Sequence, residues 1–245
     1  MVINDTIWQN DDIAQHYLTG VRGAIPLAAE QLDVMLRVVH AAPAIVTNIL
    51  DLGCGDGILG QLLLDHYPQA KATFIDFSEP MLKSAQIRLA DYTGRISIMN
   101  VDYSQQDWTY HFPHGNVSQF DVIVSGFSIH HQPDKRKQEL YAEIFNLLTP
   151  GGIFVNIEHV ASHTSWGEQL FDEAFIDSIV ADQRRSGSVQ SREEIIQRLF
   201  NTDDQYANIL APVEDQCDWL REIGFVNVDC YLKFFELAVF AGIKP

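Results

Sequence analysis

TNILDLGCGDGILGQLLLDHYP, residues 47–68, decides how the rest of the chain is read. TNILDLG (47–53) is a short apolar run that ends at a glycine, and ILGQLLLDHY (58–67) has a helical spacing that stops before Pro68. Glycines at 53, 55, 57 and 60 fill the turn between them, where a missing side chain lets a ligand approach the backbone. Read from Gly55, the letters G-D-G-I-L-G match a dinucleotide fingerprint; read from Asp51, they give D-L-G-C-G-D-G. Charge separates the two readings. A pyrophosphate needs backbone N–H groups and no adjacent anion. Here Asp51 ends the strand and Asp56 sits inside the loop, which suits a cation.

Outward from this turn, strands alternate with helices. KATFIDF (71–77), ISIMNVD (96–102), FDVIVSGFS (120–128) and GIFVNIEHV (152–160) read as strands. EPMLKSAQIRLADY (79–92) reads as a helix with Ser78 as N-cap and Pro80 in its first turn, and 134–150 as a helix closed by Pro150 and Gly151. Such alternation predicts a parallel sheet covered on both faces. Residues 11–42 are expected to be helical, and so are 164–200 and 213–224. FVNVDCYL and FELAVFAGIK close the chain as an antiparallel hairpin. The expectation is an α/β fold: a doubly wound, seven-stranded, mostly parallel sheet with one reversed strand near the C-terminus. A single domain over 1–245 would comprise a helical cap (1–45), a core (46–160), a helical lid inserted after the fifth strand (161–212) and a closing helix and hairpin (213–245).

The chain has 245 residues, 47% apolar and 20% charged, with a formal charge of −17. That charge disfavours a nucleic acid or an anionic membrane surface as partner. DKRK (134–137) is too short to reverse the argument and reads as an exposed helix start. Cys54, Cys217 and Cys230 form no CxxC pair, which suits a reducing compartment. MVINDTIWQNDD at the start has neither a basic region nor an apolar run, so a cytoplasmic protein without a signal peptide is expected. No apolar stretch has the length of a membrane span.

ILDLGCGDG resembles the first motif of the class I S-adenosylmethionine (SAM)-dependent methyltransferases, and the resemblance continues along the chain. SAM carries a sulfonium and an ammonium and no phosphate, in keeping with Asp51 and Asp56. The resemblance implies a cofactor site that includes Asp51, Gly53, Cys54 and Gly55 in the loop. It implies that Asp76, in FIDFSEPML and beside Phe77, holds the ribose hydroxyls. Asp102, in NVDYSQQDW, would accept from the adenine amino group with Tyr103 beside the ring. In DVIVSGFSIHH, the backbone near Ser125 and Gly126 would face the methionine part. In HYLTGVRGAIP (16–26), Arg22 would pair with the cofactor carboxylate and Tyr17 would help close a lid. The product would be S-adenosylhomocysteine.

Methyl transfer is an in-line displacement, so the protein supplies alignment and, where the nucleophile carries a proton, a base. A base is expected just beyond the fourth strand, where His130 and His131 lie; adjacent residues point apart, and His131 is preferred. His159 is the next candidate at the acceptor, with His163 behind it. No metal-ligand spacing links these histidines, and no metal is expected. Trp166, Phe171, Phe175 and Ile179 share one helix face, read first as core and second as an acceptor wall with Trp166 in it. The expected acceptor is a small, partly apolar molecule methylated on O or N, and the expected assembly a monomer or homodimer.

Three rivals remain. VRGAIP and FELAVFAGIKP also resemble the carboxy-SAM synthase family, whose late-helix arginine falls here on Asn201, with Arg198 one turn away. An NAD-dependent oxidoreductase would use G-D-G-I-L-G literally. A non-catalytic SAM-binding module is the third.

Overall fold

The computed structural model describes residues 5–18, 22–112, 120–185, 187, 190–199 and 207–245. Its strands are β1 (Asn48–Leu52), β2 (Lys71–Asp76), β3 (Ile96–Asn100), β4 (Phe120–Gly126), β5 (Leu148–His159), β6 (Val226–Phe234) and β7 (Leu237–Ile243). They form one seven-stranded sheet in the order β3-β2-β1-β4-β5-β7-β6. β1 to β5 pair in parallel, and β7 runs antiparallel to both β5 and β6. The expected single reversed strand is therefore β7, slotted between β5 and β6.

Alternating side chains divide β1 between two cores. Leu50 and Leu52 join Ile123, Phe154 and Phe240 beneath two helices, α5 (Asp134–Leu147) and α8 (Val213–Ile223). Ile49 joins Phe74, Val122 and Val124 on the opposite face, beneath α2 (Ala28–Ala41), α3 (Ile58–His66) and α4 (Glu79–Arg88). Covering both faces explains why the central strands are apolar at nearly every position.

Prolines account for most differences from the expected boundaries. The stretch 11–42 is not continuous. It breaks into α1 (Asp11–His16), a 3-10 turn (Arg22–Ala24) and α2, with Pro26 and a left-handed Leu27 (φ 56°) ahead of α2. α5 stops at Leu147 instead of reaching Pro150, because the residue before a proline favours extended backbone. The released Leu148 pairs with Phe120 and lengthens β5 at its start. Ser78 caps α4 as expected, accepting from the Met81 N–H at 3.4 Å.

The inserted region forms α6 (Ser165–Arg185) and α7 (Arg192–Leu199). Ile176, Ile179 and Ile195 bury Ala24 of the cap, and Ser178 Oγ donates to the Ala24 carbonyl at 2.7 Å. The insertion therefore packs on the cap. Among the described residues, no helix is long and apolar enough to cross a membrane.

Candidate active site

In parallel strands the carboxyl ends coincide, and here the ends of β1, β2 and β4 border one cavity of about 450 Å³. Its wall brings together Asp51, Gly53, Cys54, Gly55, Asp76, Phe77, Asp102 and Tyr103 with Tyr17 and His131. The floor is a tight glycine turn. Gly53, Gly55 and Gly57 all have left-handed φ, at 64°, 54° and 83°. A Cβ on Gly53 would stand 1.9 Å from Ser128 Oγ and 2.6 Å from Ser128 Cβ, so this glycine lets the loops after β1 and β4 touch. Tyr103 Oη and Ser128 Oγ are hydrogen-bonded at 2.6 Å, which ties the loop after β3 to the same place. Phe127 holds a left-handed φ of 50° on the cavity wall, a strained conformation of a kind that concentrates at ligand sites.

The acids fall into distinct roles. Asp51 Oδ2 accepts from the Gly60 N–H at 2.8 Å and anchors the start of α3. Asp56 corrects the sequence reading: its charge is met by Arg88 at 2.7 Å. Four carboxylates (Asp51, Asp56, Asp76 and Asp102) face the cavity beside one described cation, Arg88, so the local field still favours a cationic ligand. Asp76 accepts from the N–H groups of Gly55 and Ser78, both at 2.8 Å. Burial nevertheless raises its pKa to about 6, against the lowering effect of those N–H groups. Asp102 is exposed at the rim and caps its own turn through Ser104 N at 2.8 Å. Burial, reinforced by Asp76, Asp51 and Asp56, pushes the Cys54 thiol well up, so it is an inert packing residue.

Of the paired histidines, one ring faces the cavity and one faces inward. His131 lines the cavity, and its Nδ1 lies 3.3 Å from the Ala207 carbonyl. A carbonyl accepts and cannot donate, so Nδ1 carries a proton, and in the neutral ring Nε2 is then the acceptor. His130 turns to Glu158, with Nδ1 2.5 Å from Oε1. Burial first, then His159 and Lys137, holds His130 well below the usual imidazole range.

Several expected residues stand elsewhere. Ser125 turns its hydroxyl to the Leu52 carbonyl at 2.8 Å, inside the sheet, while Gly126 forms the wall. His159 pairs with Glu236 at 3.0 Å and packs on Phe171, behind the cavity. Trp166 is a correction: in the first turn of α6, ahead of the packed residues, it is 71% exposed. The apolar stripe following it serves as core. His163 pairs with Glu214 at the surface. The side chains of Arg22 and Arg198, and all of Asn201, lie outside the described residues.

The sequence reading brought only Tyr17 and Arg22 of the cap to the cofactor and missed the rest of the cap's part in the wall. Trp8, Tyr17, Leu18 and Ile25 line the cavity with Gln31 and Leu32 of α2. The Trp8 carbonyl accepts from Ser78 Oγ at 2.5 Å, and Gln9 Nε2 donates to the Phe77 carbonyl at 2.6 Å. These bonds latch the N-terminal segment onto the turn after Asp76. The signal was present in an aromatic residue next to amides, DTIWQN, but no short-range pattern shows what such a segment covers.

The glycine turn and the sheet order resemble those of the class I SAM-dependent methyltransferases. A family model described as a methyltransferase domain matches residues 49–152. The chain is 28% identical over 211 residues to trans-aconitate 2-methyltransferase of Acidovorax sp. (strain JS42), covering 79% of this chain and 72% of the relative. It is 25% identical over 240 residues to carboxy-S-adenosyl-L-methionine synthase of Desulforapulum autotrophicum, covering 96% and 90%. The fold resembles that of an O-methyltransferase family protein from Burkholderia thailandensis, with a TM-score of 0.65 at 15% identity, over 98% of this chain and 62% of the other. The chain thus spans about three fifths of that structure's length.

SAM is the cofactor of this domain, and the residues present fit it. The excess of carboxylates suits its two cationic centres. Asp76 and Asp102 offer acceptors at successive strand ends, as two hydroxyls and an amino group require. To accept from both ribose hydroxyls, the role the resemblance implies for it, Asp76 must be ionised. Affinity for SAM is therefore expected to fall as pH drops below about 6, approaching tenfold per unit, in calorimetric titrations from pH 7.5 to 5. The unliganded fold should show the opposite slope. Its Asp76 keeps a proton up to about 6, whereas the unfolded residue loses it near 3.9, so the contribution of Asp76 to stability declines as pH rises through that interval, by on the order of 3 kcal/mol.

Proposed function

We propose that this chain acts as one domain over 1–245 that moves the methyl group of SAM to an O or N atom of a small, partly apolar acceptor. The observation that carries this reading is the division of the cavity. Carboxylates gather where the loop after β1 meets β2, whereas Trp8, Leu18, Ile25, Leu32, Phe127 and Ile157 give the same cavity an apolar lining, with the Trp8 ring 5.7 Å from that of His131. A concave, largely apolar site with a few placed polar groups is the usual form of a small-molecule site. With Arg88 committed to Asp56, no described cation on the wall is left for a polyanionic acceptor. A neutral phenol, alcohol or amine fits better than a tricarboxylate, despite the name of the Acidovorax relative.

When bound, SAM supplies an electrophilic methyl on a sulfonium. The chain's residues do the rest. Asp76 and Asp102 fix the nucleoside, and the glycine turn sets the depth of the methionine part. The cap and the loop after β4 exclude water, while His131 Nε2 takes the acceptor's proton as its lone pair attacks. The charge of −17 supports a small acceptor over nucleic acid, in a cytoplasmic monomer or homodimer.

His131→Gln is expected to slow methyl transfer about a hundredfold, while SAM affinity stays within about twofold. The assay is transfer of labelled methyl from SAM into a panel of phenols, alcohols, amines and carboxylic acids. Unchanged transfer by the variant would remove His131 as base. The likeness to carboxy-SAM synthase along 96% of the chain keeps a second reading in view. It predicts that the nucleotide recovered from turnover is SAM bearing one extra carboxylate, which mass spectrometry resolves from S-adenosylhomocysteine.

A further inference from the structure

Behind His131 lies a buried polar assembly that methyl transfer itself does not require. The Glu158 side chain, near the end of β5, is 1% exposed. Its Oε1 lies 2.5 Å from His130 Nδ1 and accepts from the His159 N–H at 3.0 Å. Its Oε2 accepts from the His130 N–H at 3.1 Å and from Asn156 Nδ2 at 3.3 Å. These contacts favour the ionised carboxylate, yet burial outweighs them and raises the Glu158 pKa to about 7, so an apolar residue would complete the same strand at lower cost.

A second set of bonds reaches the same place from the other side. The end of the insertion, Ala207–Ile209, returns across the turn that carries the two histidines. Ile209 N donates to the His130 carbonyl at 2.9 Å, and the Ala207 carbonyl receives His131 Nδ1. Lys137, on the first turns of α5, is fully buried. It donates to the Ile209 carbonyl and to Asp134 Oδ1 at 2.8 Å. Glu158 thus holds the N–H of His130, and the segment tied by Lys137 holds its C=O. That carbonyl belongs to the peptide that leads into His131. The two imidazole rings sit 4.1 Å apart, so a shift of one displaces the other.

We propose that Glu158, through His130, and Lys137, through Ile209, are positioning residues that fix the His131 ring in its Nδ1–H tautomer with Nε2 toward the acceptor. This rests on the reading of His131 as the residue that meets the acceptor. It also gives the inserted region a role, because its last residues, and not its aromatic stripe, reach the reaction centre.

The test is long-range 1H–15N NMR of the histidine rings, with His131 assigned by the signal lost in His131→Gln. The wild-type chain should show His131 as the Nδ1–H tautomer. Glu158→Gln, Lys137→Met and His130→Gln should each remove at least about half of that population. His130→Asn should keep the wild-type spectrum, because its amide nitrogen stands where Nδ1 does and still donates to Glu158. Calorimetry with SAM reports on the fold, and its Kd should stay within about twofold throughout. If Glu158→Gln does not fold, the His130→Asn and His130→Gln pair decides alone. An unchanged His131 tautomer in His130→Gln with SAM binding intact would overturn the proposal. Full methyl transfer by His131→Gln would instead refute the role of His131 and leave the tautomer result standing.

Discussion

Gly53→Ala should cost the chain its cofactor binding, with SAM affinity reduced by at least about a hundredfold, and lower its stability by about 2–4 kcal/mol. Two independent effects add. The left-handed φ of 64° is strained for any residue with a Cβ. The new Cβ would also lie 2.6 Å from Ser128 Cβ, which rotation of the Ser128 hydroxyl cannot relieve. The loops after β1 and β4 must separate, and together they form the floor of the cavity. Gly94→Ala is the control. It has a left-handed φ of 86°, but a Cβ there would meet nothing within 4 Å, so it should show the backbone penalty alone and keep SAM affinity. Calorimetric titration and thermal melts of the two variants separate the effects. Equal SAM affinity in both would mean that the Gly53–Ser128 approach does not shape the site.

Asp76→Ala should weaken SAM binding by about a hundredfold or more, since hydrogen bonds to a charged group contribute about 1.5–3 kcal/mol each. The same change strips the N–H groups of Gly55 and Ser78 of their acceptor, so the turn that carries Gly55 loosens as well. Asp76→Asn separates these roles. Its one carbonyl oxygen can keep one N–H partner but cannot serve two hydroxyls, and its affinity should lose the pH dependence expected of the wild type near 6. Wild-type affinity in Asp76→Ala would dissociate this acid from the nucleoside.

The legible part of the site is the part that sits at strand ends. Asp51 stands one residue before the end of β1, and Asp76 and Gly126 end β2 and β4, all in the parallel part of the sheet, so a correct strand assignment places them together with no further information. His131 follows by the same logic, three residues into the loop after Ser128. What was not legible depends on contacts across long sequence distances. Arg88 answers Asp56 from a helix 32 residues on, which alters the charge argument without altering its sign. Trp8 reaches the cavity through a bond to Ser78, 70 residues away. Trp166 stands five residues before Phe171, which turns it about 140° round α6 and away from the face that Phe171, Phe175 and Ile179 share, so a strict count of the helical period would have excluded it. Glu158 reads as an ordinary residue at the end of a buried strand. Its meaning comes from His130, 28 residues earlier.

One measurement bears most directly on the cofactor site: calorimetric titration of the chain with SAM, with S-adenosylhomocysteine and, in parallel, with NAD. The geometry predicts micromolar binding of the first two, weakened by Asp76→Ala, and none of NAD. Binding of NAD in place of SAM would contradict it and return G-D-G-I-L-G to its dinucleotide reading.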